Sequence, residues 1–221
     1  LVVEAAVAGA LMPMLPGLAM TNAGRKLTVT INTYGEDIEG VAYKIRSLED
    51  KSLIENTEVS DYDNAGSSIN VTFNIKNLLD TGKEYALEVV LKTKKHEAVY
   101  YYTRIVYGVD YDLQKKLDFV MDFNACTFDD SRLKDIAGYL ETSSSGDNTN
   151  YGKVNINCSL SQVGWGDLDP YVESDIMPEV ISVDDDVAIL RLSYRVGAAN
   201  DYSSSDTYTV SEYYRIRQTN S

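Results

Sequence analysis

Residues Asn77 to Val89, with the sequence NLLDTGKEYALEV, decide the fold of the first half of the chain. Asp80-Thr81-Gly82 is a turn signal, since aspartate and glycine favour tight turns. Tyr85 then opens the segment YALEVVL, in which Tyr85, Leu87, Val89 and Leu91 place a large apolar side chain at every second position. Alternation with a period of two is typical of a half-buried β-strand. The stretch therefore predicts a turn that leads directly into a strand.

The same alternation recurs on both sides of this segment. Further strands are predicted at 27–31, 41–45, 69–75 and 98–107. Turn residues separate them, which is the pattern of short antiparallel strands. Strands at this spacing predict an all-β sandwich over residues 25–108.

The turn and its tyrosine resemble the tyrosine-corner region of fibronectin type III domains. In that family a Leu precedes a turn with Gly, and a Tyr opens the next strand. Leu78 or Leu79, Gly82 and Tyr85 match the pattern. The resemblance implies that the Tyr85 hydroxyl bonds to backbone near the turn and pins the strand crossover. The family's early-strand Trp is absent, because the only Trp is Trp165. Such domains are mostly spacers and binding modules, so the resemblance implies no particular ligand.

The first 20 residues, LVVEAAVAGALMPMLPGLAM, are apolar, with Glu4 as the only charge. A membrane-spanning helix needs about 20 apolar residues, and the core of a signal peptide about 7 to 15. Residues 1–20 therefore predict a leader or a membrane anchor, and a protein that is secreted or anchored outside the cytoplasm. Two alternatives are an ordinary buried N-terminal segment and a pilin-like helix that packs among filament subunits. Pro13 and Pro16 would interrupt such a helix.

The periodicity changes after 108–110, where a domain boundary is predicted. Apolar residues from Leu113 to Met121 lie on one face of an amphipathic helix, with Asp112 as its N-cap. A second helix is predicted at 130–140. Strands are predicted at 153–157, at 179–183 and 187–194 (a hairpin with an acidic turn), and at 208–217.

Two helices followed by an antiparallel sheet resemble the cone-shaped α+β architecture of the nuclear-transport-factor-like family, over residues 110–221. The resemblance implies a cone that holds a buried acid–base pair in the family's enzymes. Other members of the family are not enzymes and serve only as binding or assembly units. The family's third helix is not evident in this sequence. The whole chain is thus expected to be mostly β, a sandwich followed by a small α+β domain.

The segment Gly164-Trp165-Gly166-Asp167-Leu168-Asp169 is the main candidate for ligand chemistry. A Trp beside two carboxylates can line a pocket and raise a carboxylate pKa by burial. Trp165, Asp167 and Asp169 are therefore predicted to bind a ligand. The alternative is a loop anchored by its Trp with solvated aspartates. Calcium is a further alternative, but the ordered spacing of an EF-hand is missing. No catalytic residue, metal site or cofactor is predicted.

Three consecutive tyrosines give a second candidate surface. Tyr100 and Tyr102 would share one face of a strand, while Tyr101 would point to the other. A tyrosine face can bind a glycan or a partner strand. The alternative is a sheet that is half core and half surface.

Charge and rare residues exclude several functions. The net charge is −14, with −3 in residues 1–109 and −11 in 110–221. An acidic surface repels phosphate backbones, so nucleic acid is excluded as a partner. The sole histidine, His96, excludes a multi-histidine zinc site and argues against a catalytic triad. Cys126 and Cys158 are expected in one domain, where they are either bonded or free.

The leading hypothesis is an exported, membrane-anchored or surface protein that is not an enzyme. In it the fibronectin III-like sandwich links the N-terminal anchor to the α+β domain, which binds a protein or cell-envelope partner. One alternative is an enzyme or small-ligand binder that uses the cone around Trp165. The other is a filament subunit packed through its apolar N-terminus.

Overall fold

The computed structural model describes residues 2–7, 10–13, 18–21, 25–63, 67–107, 111–141, 143–148, 151–198 and 206–217. Its strands in chain order are β1 (Val2–Val7), β2 (Ala10–Pro13), β3 (Leu18–Thr21), β4 (Lys26–Asn32), β5 (Ile38–Ser47), β6 (Leu53–Val59), β7 (Tyr62–Asp63), β8 (Ser68–Asn74), β9 (Glu84–Thr93), β10 (Val99–Tyr107), β11 (Tyr171–Val172), β12 (Met177–Val183), β13 (Val187–Ala198) and β14 (Asp206–Arg217). The α-helices are α1 (Leu113–Thr127) and α2 (Leu160–Val163), and 3-10 helices span Leu133–Tyr139 and Ser144–Gly146.

Two five-stranded sheets make up the sandwich. Sheet 1 has the order β2-β1-β4-β8-β7, and sheet 2 has the order β3-β10-β9-β5-β6. Their pairings are antiparallel, except that β3 runs parallel to β10. A third sheet has the order β11-β13-β12, and β14 also pairs with β13.

The core of the sandwich follows from alternation along each strand. Strand β9 buries Tyr85, Leu87, Val89 and Leu91, while the side chains between them stay half-buried or exposed. Deeper in the core the Tyr43 and Phe73 rings pack with centroids 4.6 Å apart. The predicted fold class, a mostly-β chain with a sandwich and a small α+β region, is confirmed.

The apolar N-terminal stretch contributes strands to both sheets. Strand β1 pairs with β4, from Val2 opposite Asn32 to Ala6 opposite Thr28. Strand β3 pairs with β10, where Leu18 lies opposite Arg104. A helical interpretation of these described residues is therefore wrong, because their backbone groups pair with neighbouring strands. Among the described residues, no helix combines the length and the apolar character needed to cross a membrane.

The chain divides into two compact units. Unit 1 comprises Leu1–Gln114, Met177–Arg191 and Tyr213–Ser221, and unit 2 comprises Lys115–Ile176 and Leu192–Glu212. The boundary predicted at 108–110 lies outside the described residues. Unit 1 also takes in β12 and parts of β13 and β14, which were predicted to belong to the second domain.

Two elements of the second half differ from the prediction. The second helix is a 3-10 helix in which the Asp135 N–H donates to the Arg132 carbonyl at 2.8 Å. Gly138 weakens a longer α-helix here. The strand predicted at 153–157 does not form, because the Asn155 side chain accepts from the Asn157 N–H at 2.9 Å. That local turn competes with strand pairing. The nuclear-transport-factor-like resemblance is not confirmed.

A buried carboxylate on β6 holds one side of the sandwich together. Glu55 accepts hydrogen bonds from the Tyr43 hydroxyl at 2.5 Å and from the backbone N–H groups of Lys76 and Asn77, both at 2.9 Å. Burial acts to raise the pKa of Glu55, but the hydrogen bonds from Tyr43 and the backbone outweigh it and lower the pKa. We call this set of residues the Glu55 clamp. An inward-facing charge on an outermost strand also blocks edge-to-edge pairing with other chains.

Candidate functional site

The outer face of sheet 2 carries the most exposed aromatic pair of the sandwich. Alternation along β10 turns Val99 and Tyr101 toward the core and turns Tyr100 and Tyr102 outward. Tyr100 is 51% exposed and Tyr102 is 61% exposed. Large aromatic side chains that stay this exposed on a sheet face are typical of contact surfaces.

The two rings form an ordered pair. Their centroids are 6.4 Å apart and their planes differ by 11°. In the register of the sheet, Tyr100 lies opposite Val90, and Val90 lies opposite Ala42 on β5. We call Tyr100, Tyr102, Val90 and Ala42 the tyrosine patch. Its surface is aromatic and aliphatic, and a strand backbone holds each member in place.

Two ion pairs flank the tyrosine patch, while Glu58, opposite Ala42 on β6, is exposed. Glu88, opposite Tyr102, forms a 2.6 Å ion pair with Lys44. The hydrogen bond from this ion pair raises the pKa of Lys44. Further along β10, Arg104 forms a 2.8 Å ion pair with Glu84. Partner-binding surfaces are depleted of free charge at their centre and enriched in tyrosine and arginine, which is the composition observed here.

The predicted ligand-binding residues Trp165, Asp167 and Asp169 lie in the segment between α2 and β11. Trp165 is half-buried, and its ring centroid lies 5.3 Å from that of Phe128. Phe128 in turn lies 6.0 Å from Tyr194. Asp167 and Asp169 are exposed. The ring contacts of Trp165 fit a loop anchor, and the ligand-binding role of the three residues stays a prediction. Among the described residues, no group of three or more His, Cys, Asp or Glu side chains is placed to hold a metal ion.

The tyrosine corner has the geometry that the resemblance implies. The backbone N–H of Asp80 donates to the Tyr85 hydroxyl oxygen at 2.7 Å. Gly82 adopts a φ of 74°, a left-handed conformation that favours glycine. Its N–H donates to the Tyr107 carbonyl at 3.0 Å, which ties the turn to the end of β10.

Both cysteines are free and buried. They lie in unit 2, so they share one compact unit as expected. Burial raises the pKa of the Cys126 thiol. The Cys158 thiol donates to the Gly146 carbonyl at 3.1 Å.

Sequence patterns missed a polar network in unit 2. The Tyr194 hydroxyl donates to Glu212 at 2.5 Å, and the Asn124 side-chain amide donates to both of them, at 3.1 and 3.0 Å. Burial is the largest of the effects that raise the pKa of Tyr194. The three residues come from α1, β13 and β14, so no local motif could reveal the network. Its donors and acceptors satisfy one another, which indicates a structural role.

The arrangement of the strands defines the class of protein. Two facing sheets, with β1 on one and β3 on the other, form an immunoglobulin-like β-sandwich. No family model matches the chain, and no curated protein matches it.

Comparison with solved structures gives similarities at low TM-scores. CopC from Methylosinus trichosporium OB3b is 11% identical, with 42% of this chain and 88% of that chain covered, at a TM-score of 0.29. A chicken TCR is 8% identical, with coverages of 91% and 87% and a TM-score of 0.29. Spo0M, a sporulation control protein from Bacillus subtilis, is 9% identical, with coverages of 98% and 89% and a TM-score of 0.30. At these values the similarities carry no argument about ligand or activity.

Proposed function

We propose that this protein is an extracytoplasmic, non-enzymatic binding module whose sandwich contacts a protein or cell-envelope partner through the tyrosine patch. The observation that carries the proposal is the parallel, exposed pair of Tyr100 and Tyr102. Rigid aromatic side chains supply large contact area at low conformational cost, and they dominate the energetics of interfaces.

Two further observations support this proposal. The ion pairs Lys44–Glu88 and Arg104–Glu84 neutralise four charged side chains beside Tyr102, in a chain with a net charge of −14. A partner therefore desolvates little uncompensated charge when it docks there. The tyrosine corner supports a fibronectin type III-like sandwich. Domains of that family are mostly spacers and binding modules.

Site-specific photo-crosslinking in the source cells tests the proposal. A photoreactive aromatic residue replaces Tyr102 in one variant. In a control variant it replaces Tyr213, which is 67% exposed on β14. Position 102 should give discrete adducts, and Tyr100→Ser should abolish them. A membrane-impermeant lysine reagent applied to intact cells should label the protein. Equal adducts at both positions, or no labelling of intact cells, would refute the corresponding part of the proposal.

A further inference from the structure

The last strand forms a long edge of the third sheet. β14 runs without a break over 12 residues, Asp206–Arg217. Among the strands that the structure describes, it pairs only with β13. An edge strand of this length is a template for pairing with a strand from another chain.

The other outermost strands are short or have a protected edge. β2 and β3 have four residues each, and β7 and β11 have two. β6 has a register shift with β5, and the Asn77 side chain donates to its Ile54 carbonyl. In the same way the Arg104 guanidinium donates to the Ile181 carbonyl of β12, at 2.8 Å. Natural proteins avoid edge-to-edge association by such short strands, bulges and covered edges. β14 is the longest of these strands, and it contains no proline or lysine.

The two faces of β14 differ. The odd positions from 207 to 217 are all exposed, whereas the even positions from 210 to 216 are half-buried. On the half-buried face, Glu212 accepts from the Tyr194 hydroxyl and from the Asn124 side chain. The exposed face consists of threonine, serine, tyrosine and arginine, and threonine and tyrosine favour strand pairing.

A second copy of the same strand fits this edge in antiparallel orientation. A two-fold axis perpendicular to the sheet keeps the exposed side chains on one face, so odd positions lie opposite odd positions. A register with Glu212 opposite itself is unfavourable, because the two carboxylates repel each other. With Ser211 opposite itself, positions 206–216 of the two strands overlap, and Thr209 lies opposite Tyr213. A two-fold contact of this kind is complete at two copies.

Charge complementarity supports this register. Thr207, which then lies opposite Arg215, donates to the exposed Glu173 carboxylate at 2.9 Å. Arg215 is exposed and has no ion-pair partner among the described residues. Side chains directly opposite each other have Cβ atoms about 4.5–5.5 Å apart. Arg215 of one copy therefore comes within reach of Glu173 of the other, and the symmetry repeats this pair. We infer that β14 joins two copies of this chain into an antiparallel dimer, in which the two four-stranded sheets become one continuous sheet.

Sedimentation velocity of the full chain at roughly 1 to 500 µM tests the inference, because this range brackets micromolar Kd values. The wild type should pass from monomer to dimer. Ser211→Lys places two ammonium groups opposite each other on the axis and should weaken the dimer Kd at least about tenfold. Ser68→Lys makes the same change at an exposed position of β8 and should dimerise like the wild type.

A charge reversal tests the contact between the copies directly. Arg215→Glu places a carboxylate beside Glu173 of the other copy, so it should weaken the dimer. Combining it with Glu173→Arg restores opposite charges and should restore the Kd. Damage to the fold cannot produce this rescue, since both side chains are exposed and the second substitution only adds a change.

Disulfide formation tests the register. Residues directly opposite in an antiparallel pair have Cα atoms about 4.5–5.5 Å apart, within the range of a disulfide. Ser211→Cys should therefore form a covalent dimer on oxidation. Two cysteines from Tyr213→Cys would lie four positions apart along the strands, about 14 Å, and should not bond. The native cysteines are buried and do not interfere.

Three results would overturn the inference: a wild type that stays monomeric at every concentration, Ser211→Lys that dimerises like the wild type, or Tyr213→Cys that bonds as readily as Ser211→Cys. An Arg215→Glu defect that Glu173→Arg leaves unrescued would do the same. Tyr100→Ser should dimerise like the wild type, so the dimer is independent of the tyrosine patch. A photo-adduct at position 213 with a second copy has twice the mass of the chain, which distinguishes it from a partner adduct at position 102.

Discussion

Replacing Glu55 with alanine should lower the free energy of unfolding by about 3–5 kcal/mol, the cost of removing one member of a buried charged network. Four groups donate to this carboxylate: the hydroxyls of Tyr43 and Thr57 and the backbone N–H groups of Lys76 and Asn77. A hydrogen bond to a charged group contributes roughly 1.5–3 kcal/mol, and the four are not additive. Tyr43 still lies 2.9 Å from the Asn74 carbonyl, which limits the loss.

Glu55→Gln is the matched variant, because it keeps the shape and removes the charge. Its amide group cannot accept all four bonds, so it should lose about 1–3 kcal/mol. Glu58→Gln is the control: Glu58 is exposed on the same strand, and its replacement should change stability by less than about 0.5 kcal/mol. Urea unfolding followed by circular dichroism measures all three variants.

The same clamp predicts a pH dependence. Folding lowers the pKa of Glu55 from an ordinary value near 4.5. A carboxyl group whose pKa is lower in the folded state stabilises the fold above its unfolded pKa. That contribution is lost as the pH falls through the folded pKa. The stability difference between wild type and Glu55→Gln should therefore be constant at neutral pH and shrink in acid.

A loss of less than about 0.5 kcal/mol in Glu55→Ala, the range of ordinary surface substitutions, would contradict this role of the Glu55 clamp. So would a difference between wild type and Glu55→Gln that grows as the pH falls. Either result would mean that the carboxylate is solvated and that its hydrogen bonds do not persist in solution.

Three further predictions concern stability and chemistry. Tyr85→Phe should cost about 0.5–1.5 kcal/mol in urea unfolding through the lost bond to the turn, while Tyr171→Phe, at a half-exposed ring, should cost nothing measurable. Cys126 and Cys158 should resist a thiol reagent in the folded protein and both react in denaturant; an intact mass that shows a disulfide would contradict this. Deleting residues 1–24 should lower the melting temperature and promote association, because β4 and β10 each lose a paired strand; an unchanged melting curve would show that β1 and β3 contribute nothing.

Strand positions in the sandwich could be predicted because one face of each strand is buried. Alternation in β9 follows directly from Tyr85, Leu87, Val89 and Leu91, and the corner motif located the turn before it. Strand β6 escaped prediction because Glu55 occupies an inward position where an apolar residue is expected. Only the tertiary partners of that carboxylate make its burial favourable, and no local pattern records them.

The N-terminal stretch shows a different limit. A strand covered on both faces can have apolar side chains on both, so a continuous apolar run alone does not distinguish a strand from a helix. The apolar composition of residues 1–20 favoured a leader. In the structure, β1 pairs with β4 and β3 pairs with β10, so these segments are strands. For the candidate site, the alternation of Tyr100 and Tyr102 could be predicted. The ion pairs Lys44–Glu88 and Arg104–Glu84 could not, because they depend on the register between strands.

The parallel pairing of β3 with β10 has a consequence for biosynthesis. Residues 18–21 are translated before residues 104–107, so β3 must wait for a partner strand more than 80 positions downstream. Contacts of such high sequence separation slow folding, since the chain loses the entropy of loop closure before strand pairing contributes favourable free energy. The sandwich therefore completes sheet 2 only after β10 has emerged from the ribosome. Until then β3 has no partner strand in sheet 2, so its backbone groups stay available to water or to another chain.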